Sequence, residues 1–111
     1  MQPATQRAFK RCAFVASAEV TEMVSRARLS ARTSELGLGG CYIDALNPFP
    51  TGTLVQLRIL RDQGVFETEA KVVYCDPRFG MGLAFTGVTS DQRAILEAWL
   101  TDLVIQLRTV S

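Results

Sequence analysis

Two arginines four positions apart, Arg7 and Arg11 in the string RAFKR, are the residues of this chain best equipped for chemistry. A guanidinium group presents a planar fork of donors that fits phosphate oxygens and stacks on flat rings. Downstream lies a glycine-rich segment, ELGLGG (residues 35–40), between two strand-like stretches. Its glycines Gly37, Gly39 and Gly40 tolerate positive φ and let another group approach the backbone closely. Glu35 adds a carboxylate acceptor at the same place. Arginines on an arm that folds over such a turn suit a planar, anionic ligand. Blander accounts exist for each residue: solvated charges on an arm for Arg7 and Arg11, a carboxylate paired with Arg32 for Glu35, and a plain tight turn for the glycines.

Composition narrows the chemistry further. At 111 residues with 48% hydrophobic content, the chain fits one domain with its own core. The formal net charge of +1 supplies no bulk field toward nucleic acid or a membrane surface, so any anion recognition must come from local clustering. Histidine is absent, which removes the commonest general base and the commonest metal ligand. Asp44, Asp62 and Asp76 fall at strand ends and turns, where aspartate is first a turn former. No two carboxylates have the spacing of a catalytic dyad. The expectation is a binding module, not an enzyme, with no catalytic residue, metal or cofactor. Cys12, Cys41 and Cys75 are odd in number and widely spaced, and read as reduced, buried small hydrophobes. No apolar run is long enough to span a bilayer, and the N-terminal stretch lacks the apolar core of a signal peptide. A cytoplasmic location without membrane insertion is expected.

The elements that must position these residues follow from periodicity. Residues 1–11 are polar, contain Pro3, and read as a flexible arm carrying both arginines. Residues 12–21 form a first strand, with Phe14, Ala16, Ala18 and Val20 in step. Residues 26–34 alternate cleanly: Arg26, Arg28, Ser30, Arg32 and Ser34 on a wet face, and Ala27, Leu29, Ala31 and Thr33 on a core face. The arginines of that wet face are expected to pair with Glu19, Glu67 or Glu69 across neighbouring strands. After the turn at 35–40 a third strand covers residues 40–44, and NPFPTG at 47–52 is a loop. Residues 53–61 put Val55, Leu57 and Ile59 inward. A hairpin at Asp62-Gln-Gly64 leads to residues 65–75, with Phe66, Thr68, Ala70, Val72 and Tyr74 inward, and a last strand covers 81–86. Short strands at about ten-residue spacing predict a barrel or sandwich. Thr89 and Gln92 have the spacing of a capping box. Behind them Ile95, Leu96, Trp99, Leu100, Leu103, Val104 and Leu107 recur at helical spacing over residues 90–108. That apolar stripe either covers an open side of the barrel or serves as a helix–helix dimer seam.

The order of elements and several strings resemble the PilZ domain family, whose signature is RxxxR followed by (D/N)xSxxG. RAFKR supplies Arg7 and Arg11; ELGLGG supplies Glu35, Gly37 and Gly40 at the D/N, S and G positions. GGCYIDALNPFPTGTLVQLRI and AKVVYCDPRFGMGLAFTGV resemble the family's later strands. The resemblance implies a mainly-β fold, a six-stranded antiparallel barrel over residues 12–111 that includes a C-terminal helix, preceded by the arm at 1–11. It also implies a receptor for the bacterial second messenger cyclic di-GMP, with Arg7, Arg11, Glu35, Gly37 and Gly40 as ligand-binding residues and the arginines on phosphates and guanine edges. Glu35 replaces Asp or Asn and Gly37 replaces Ser. The longer Glu35 side chain moves its head group by about 1.5 Å, and the missing hydroxyl removes a hydrogen bond of about 0.5–1.5 kcal/mol. With one domain in hand, output would pass to an effector protein, of a motility or pilus system, or through a homodimer; DNA is not an expected partner. The alternative is a PilZ-like protein-interaction module that no longer binds the nucleotide.

Overall fold

Period-two alternation builds most of this molecule, and insertions into that alternation interrupt three of its strand pairings. The structure, a computed structural model, describes residues 11–110, with side chains described as far as Leu103. In chain order the elements are β1 (Cys12–Ala13), β2 (Ser17–Glu22), β3 (Arg28–Leu36), β4 (Gly40–Asp44), β5 (Leu54–Arg61), β6 (Gly64–Asp76), β7 (Gly80–Phe85) and α1 (Ser90–Val110). The strands pair antiparallel in the order β1-β3-β2-β5-β6-β7-β4, and a further β3–β4 pairing closes the sheet on itself. Six strands thus form a closed barrel, with β1 added beside β3. This is the expected six-stranded barrel with its C-terminal helix. Closure pairs the strand edges that would otherwise be left open.

Inward side chains fill the barrel. Val20, Ile43, Val55, Leu57, Ile59, Phe66, Val72, Met81 and Leu83 are fully buried, and they include the whole inward set expected for β5. The helix lays its apolar stripe on this core: Leu96 and Trp99 are buried, and Ile95, Leu100 and Leu103 pack against the cluster. Trp99 stacks on Phe14 at 5.7 Å and meets the edge of Phe66 at 6.4 Å. The Arg61 guanidinium, at the end of β5, lies over the Phe14 ring, 5.0 Å from its centre. Thr89 caps the helix through its hydroxyl, which accepts from Gln92 N at 3.4 Å. Gln92 does not complete the expected box. Its Oε1 accepts from Glu67 N at 2.7 Å instead, tying the helix start to β6.

Several expectations need correction, and most trace to inserted residues. The predicted strand at 12–21 is split into β1 and β2. Between the pairs Ala13↔Glu35 and Ser17↔Arg32, four steps on one strand face three on β3. Thr33, on β3, lies opposite this bulge: its hydroxyl donates to Phe14 O at 2.6 Å and accepts from Ala16 N at 3.1 Å. The strand predicted over 26–34 starts at Arg28 and continues to Leu36. Arg26 lies in the preceding turn with φ 67. A second irregularity between Thr33 and Glu35 resets the phase, so Leu36 is buried and Glu35 exposed. A third, between Val72 and Tyr74, turns Tyr74 outward, where it is 43% exposed. Of the three cysteines, all free, Cys41 is buried whereas Cys12 and Cys75 are half-buried.

Candidate functional site

The β1–β3 pairing delivers the second motif arginine to the glycine turn. Cys12 pairs with Leu36, so Arg11, one residue earlier, is carried alongside Gly37, one residue later. The Arg11 guanidinium lies against Gly40: a Cβ there would sit 3.0 Å from Arg11 Nη2 and would overlap the Leu83 carbonyl oxygen. Gly40 is therefore required for close approach. Positive φ, the other role open to it, belongs among the described glycines to Gly52 and Gly87. Gly37 N donates to Gly40 O at 2.9 Å, which leaves Leu38 and Gly39 as the hairpin tip. The turn is thus shorter than ELGLGG, with Glu35 and Leu36 in β3 and Gly40 in β4. The charge of Arg11 also reaches Cys41. Burial pushes that thiol up to about 12, while Arg11 pulls the other way, so the sulfur stays a neutral core group.

Cross-strand partners share a face of the sheet, so the register defines the outer surface beside Arg11. One row runs Ala13, Glu35, Tyr42, Gly82, Tyr74 across β1, β3, β4, β7 and β6. The next row runs Gly40, Ala84, Lys71. Glu35 is exposed at the margin of this surface. It does not pair with Arg32, whose Nε instead meets Asp44 Oδ2 at 3.4 Å. The Tyr74 ring lies over Gly82 and the Tyr42 ring over Gly80. The two rings sit 6.0 Å apart at 33°. Tyr42 donates its hydroxyl to Asp76 Oδ2 at 2.8 Å. Desolvation, and then the bond to Asp76, push its phenol up to about 12.

Four of the five candidate residues, Arg11, Glu35, Gly37 and Gly40, thus come together where β1, β3 and β4 meet. Arg7 lies outside the described residues, as do Lys10 and the rest of the predicted arm. The two tyrosines were not among the candidates. Tyr74 had been assigned to the core because alternation alone carries no mark of an inserted residue. The available signal was the pair Gly80 and Gly82 in GMGLAF, outward positions that accept a ring from a neighbouring strand. The arginine stripe divides differently. Arg28 lies 3.6 Å from Glu19, and Arg58, on β5, lies 3.2 Å from Glu19 and 2.7 Å from Glu67. Partly exposed pairs of this kind contribute little stability, and they account for Arg28 as one rung of a surface ladder. Among the described residues no cluster of His, Cys, Asp or Glu is arranged to hold a metal ion, and no helix is long and apolar enough to cross a membrane.

The PilZ domain family profile matches residues 5–102, which include both RAFKR and ELGLGG. The chain belongs to the PilZ domain family. Several solved structures share its fold. YcgR from Escherichia coli, in complex with cyclic di-GMP, superposes with a TM-score of 0.77 at 18% identity, covering 91% of this chain and 47% of that one. The PilZ domain of YcgR with cyclic di-GMP gives 0.75 at 17% identity, covering 91% and 93%. The Bacillus subtilis inhibitor of motility MotI/DgrA gives 0.72 at 18% identity, covering 88% and 50%. This PilZ domain therefore spans about half of MotI/DgrA and of whole YcgR, and most of the isolated YcgR domain. At these identities the likeness is one of fold. No curated protein matches the sequence.

Proposed function

We propose that this PilZ domain is a cytoplasmic adaptor that binds cyclic di-GMP on the outer face of β3, β4 and β7 and relays the signal to a partner protein. The observation that carries the reading is the seating of Arg11 over Gly40, which brings the second arginine of RAFKR and the last glycine of ELGLGG into contact. In this reading Arg11 and Arg7 take phosphates and guanine edges, and Glu35 accepts from guanine N1–H and its exocyclic amine. Gly37 and Gly40 admit the ligand to the backbone. Tyr42 and Tyr74 offer ring faces beside the floor, where stacking of a base contributes about 1–3 kcal/mol. The hydroxyl missing at Gly37 is worth about 0.5–1.5 kcal/mol, or about tenfold in affinity at most. Contacts of Arg7 and Arg11 that are made only with the ligand bound supply the differential affinity that a switch requires. YcgR, described with the same ligand, supports the choice of nucleotide. MotI/DgrA, described as an inhibitor of motility, supports a motility partner.

Glu35 and Gly37, which depart from the family signature, favour a second reading: an interaction module that has lost the nucleotide. Titration calorimetry separates the two. The receptor predicts affinity in the micromolar range or tighter, weakened about tenfold or more by Arg7→Ala and by Arg11→Ala, and by a smaller factor by Tyr74→Ala. No heat from a domain that is folded by circular dichroism supports the interaction module.

A further inference from the structure

We infer that Lys71 is an additional ligand-binding residue, holding the second phosphate of the ligand across the floor from Arg11. This rests on the cyclic di-GMP reading. That ligand carries two phosphodiesters on opposite sides of its ring, so a cation at one edge of the floor meets only one of them. Gly40, Ala84 and Lys71 are successive register partners on β4, β7 and β6. Each faces outward, because an adjacent residue on its strand (Cys41, Leu83 and Val72, themselves register partners) is fully buried facing inward. With neighbouring strands about 4.8 Å apart, the Lys71 backbone lies roughly 10 Å from that of Gly40, where the Arg11 guanidinium rests. Between the two cations the floor carries no side chain larger than the methyl group of Ala84.

The surroundings of Lys71 suit an anion. Its direct cross-strand neighbours are Ala84 and Leu54, so no carboxylate faces it across either pairing. Glu69, the preceding outward residue on β6, faces Gln56. Tyr74 follows on the same strand, aligned along one side of the floor. The four-carbon stem of a lysine is long and freely rotating, which lets its ammonium swing back over Ala84 toward a bound ring. Neither signature string contains Lys71. Only the pairing of β4 with β7 places it on the same surface as residues 11 and 40.

The test is calorimetric titration of cyclic di-GMP into wild type, Lys71→Met, Lys71→Arg and Arg28→Ala. Lys71→Met keeps the stem and removes the charge, and is expected to weaken binding about tenfold, the scale of one charge-assisted hydrogen bond. Lys71→Arg should stay within about threefold of wild type, since it retains the cation. Arg28→Ala, which removes an exposed cation at the other end of β3, should leave affinity unchanged. Thermal midpoints should match throughout. Wild-type binding with unchanged affinity in Lys71→Met overturns this inference alone, as does Lys71→Arg losing as much as Lys71→Met. A folded wild type that gives no heat overturns the receptor reading and this assignment with it.

Discussion

Cys41 and Tyr42 are sequence neighbours that β4 sends to opposite faces, one into the core and one to the surface beside Arg11. Both acids are nevertheless held protonated. Cys41 rises from 9.0 to about 12 through burial. Tyr42 rises from 10.0 to about 12 through desolvation and its bond to Asp76. In each case the folded state holds the proton more tightly than the unfolded chain, so stability is intact below the unfolded value and is lost as pH climbs to the folded one. The expected outcome is a urea midpoint that is flat up to about pH 9 and falls between about pH 9 and pH 12. Tyr42→Phe should remove the part of that fall that begins near pH 10. A midpoint indifferent to pH across this window would refute the assignment. At this scale the signature strings were enough to nominate Arg11, Glu35, Gly37 and Gly40. That Tyr42 and Tyr74 share one outer surface was not legible beyond the hint of Gly80 and Gly82, because which way a side chain faces depends on register with strands far away in sequence.

Bulges are the elements that break the regular alternation beside the proposed site. The insertion between β1 and β2 is held by a single side chain, Thr33, whose hydroxyl serves Phe14 O and Ala16 N together. Thr33→Val keeps the shape and removes both bonds. The carbonyl of Phe14 and the amide of Ala16 then lose their partner, which costs about 1–3 kcal/mol. The same variant should loosen β1 and so weaken any ligand that depends on Arg11. Denaturant unfolding measures the first effect and calorimetry the second; a loss of stability below about 0.5 kcal/mol would mean that Thr33 does not hold the bulge. Strand identity was legible in the alternation over residues 28–34, 54–61 and 65–72. Helix onset was legible in Thr89. The three insertions were not: one extra residue lacks a sequence mark when the residues on both sides suit a strand equally well. The Gln92 contact to Glu67 was equally hidden, since the amide could as well have reached back to its own helix.

For the whole molecule, Trp99 joins the helix to the barrel and to the start of the chain. It stacks on Phe14, meets Phe66 edge-on, and lies 3.3 Å from where a Cβ on Gly64 would be. Trp99→Ala should therefore cost about 3–5 kcal/mol, lower the thermal midpoint, and weaken near-ultraviolet circular dichroism. A variant with the wild-type midpoint would show that the helix is not part of the cooperative unit. Phe14 sits three residues after Arg11, so the same substitution should also disturb the site from its far side. By itself the sequence determined the class of the molecule: a chain without histidine, with alternating strands, a capped amphipathic helix and two short signature strings. Those features are local, and local patterns depend only on neighbours a few residues away. Tertiary structure alone decided that β4 closes onto β7 as well as β3, that Tyr74 faces out, and that Lys71 and Arg11 share a surface. Each of these depends on which strands meet and in what register, and that is set by the packing of one common core.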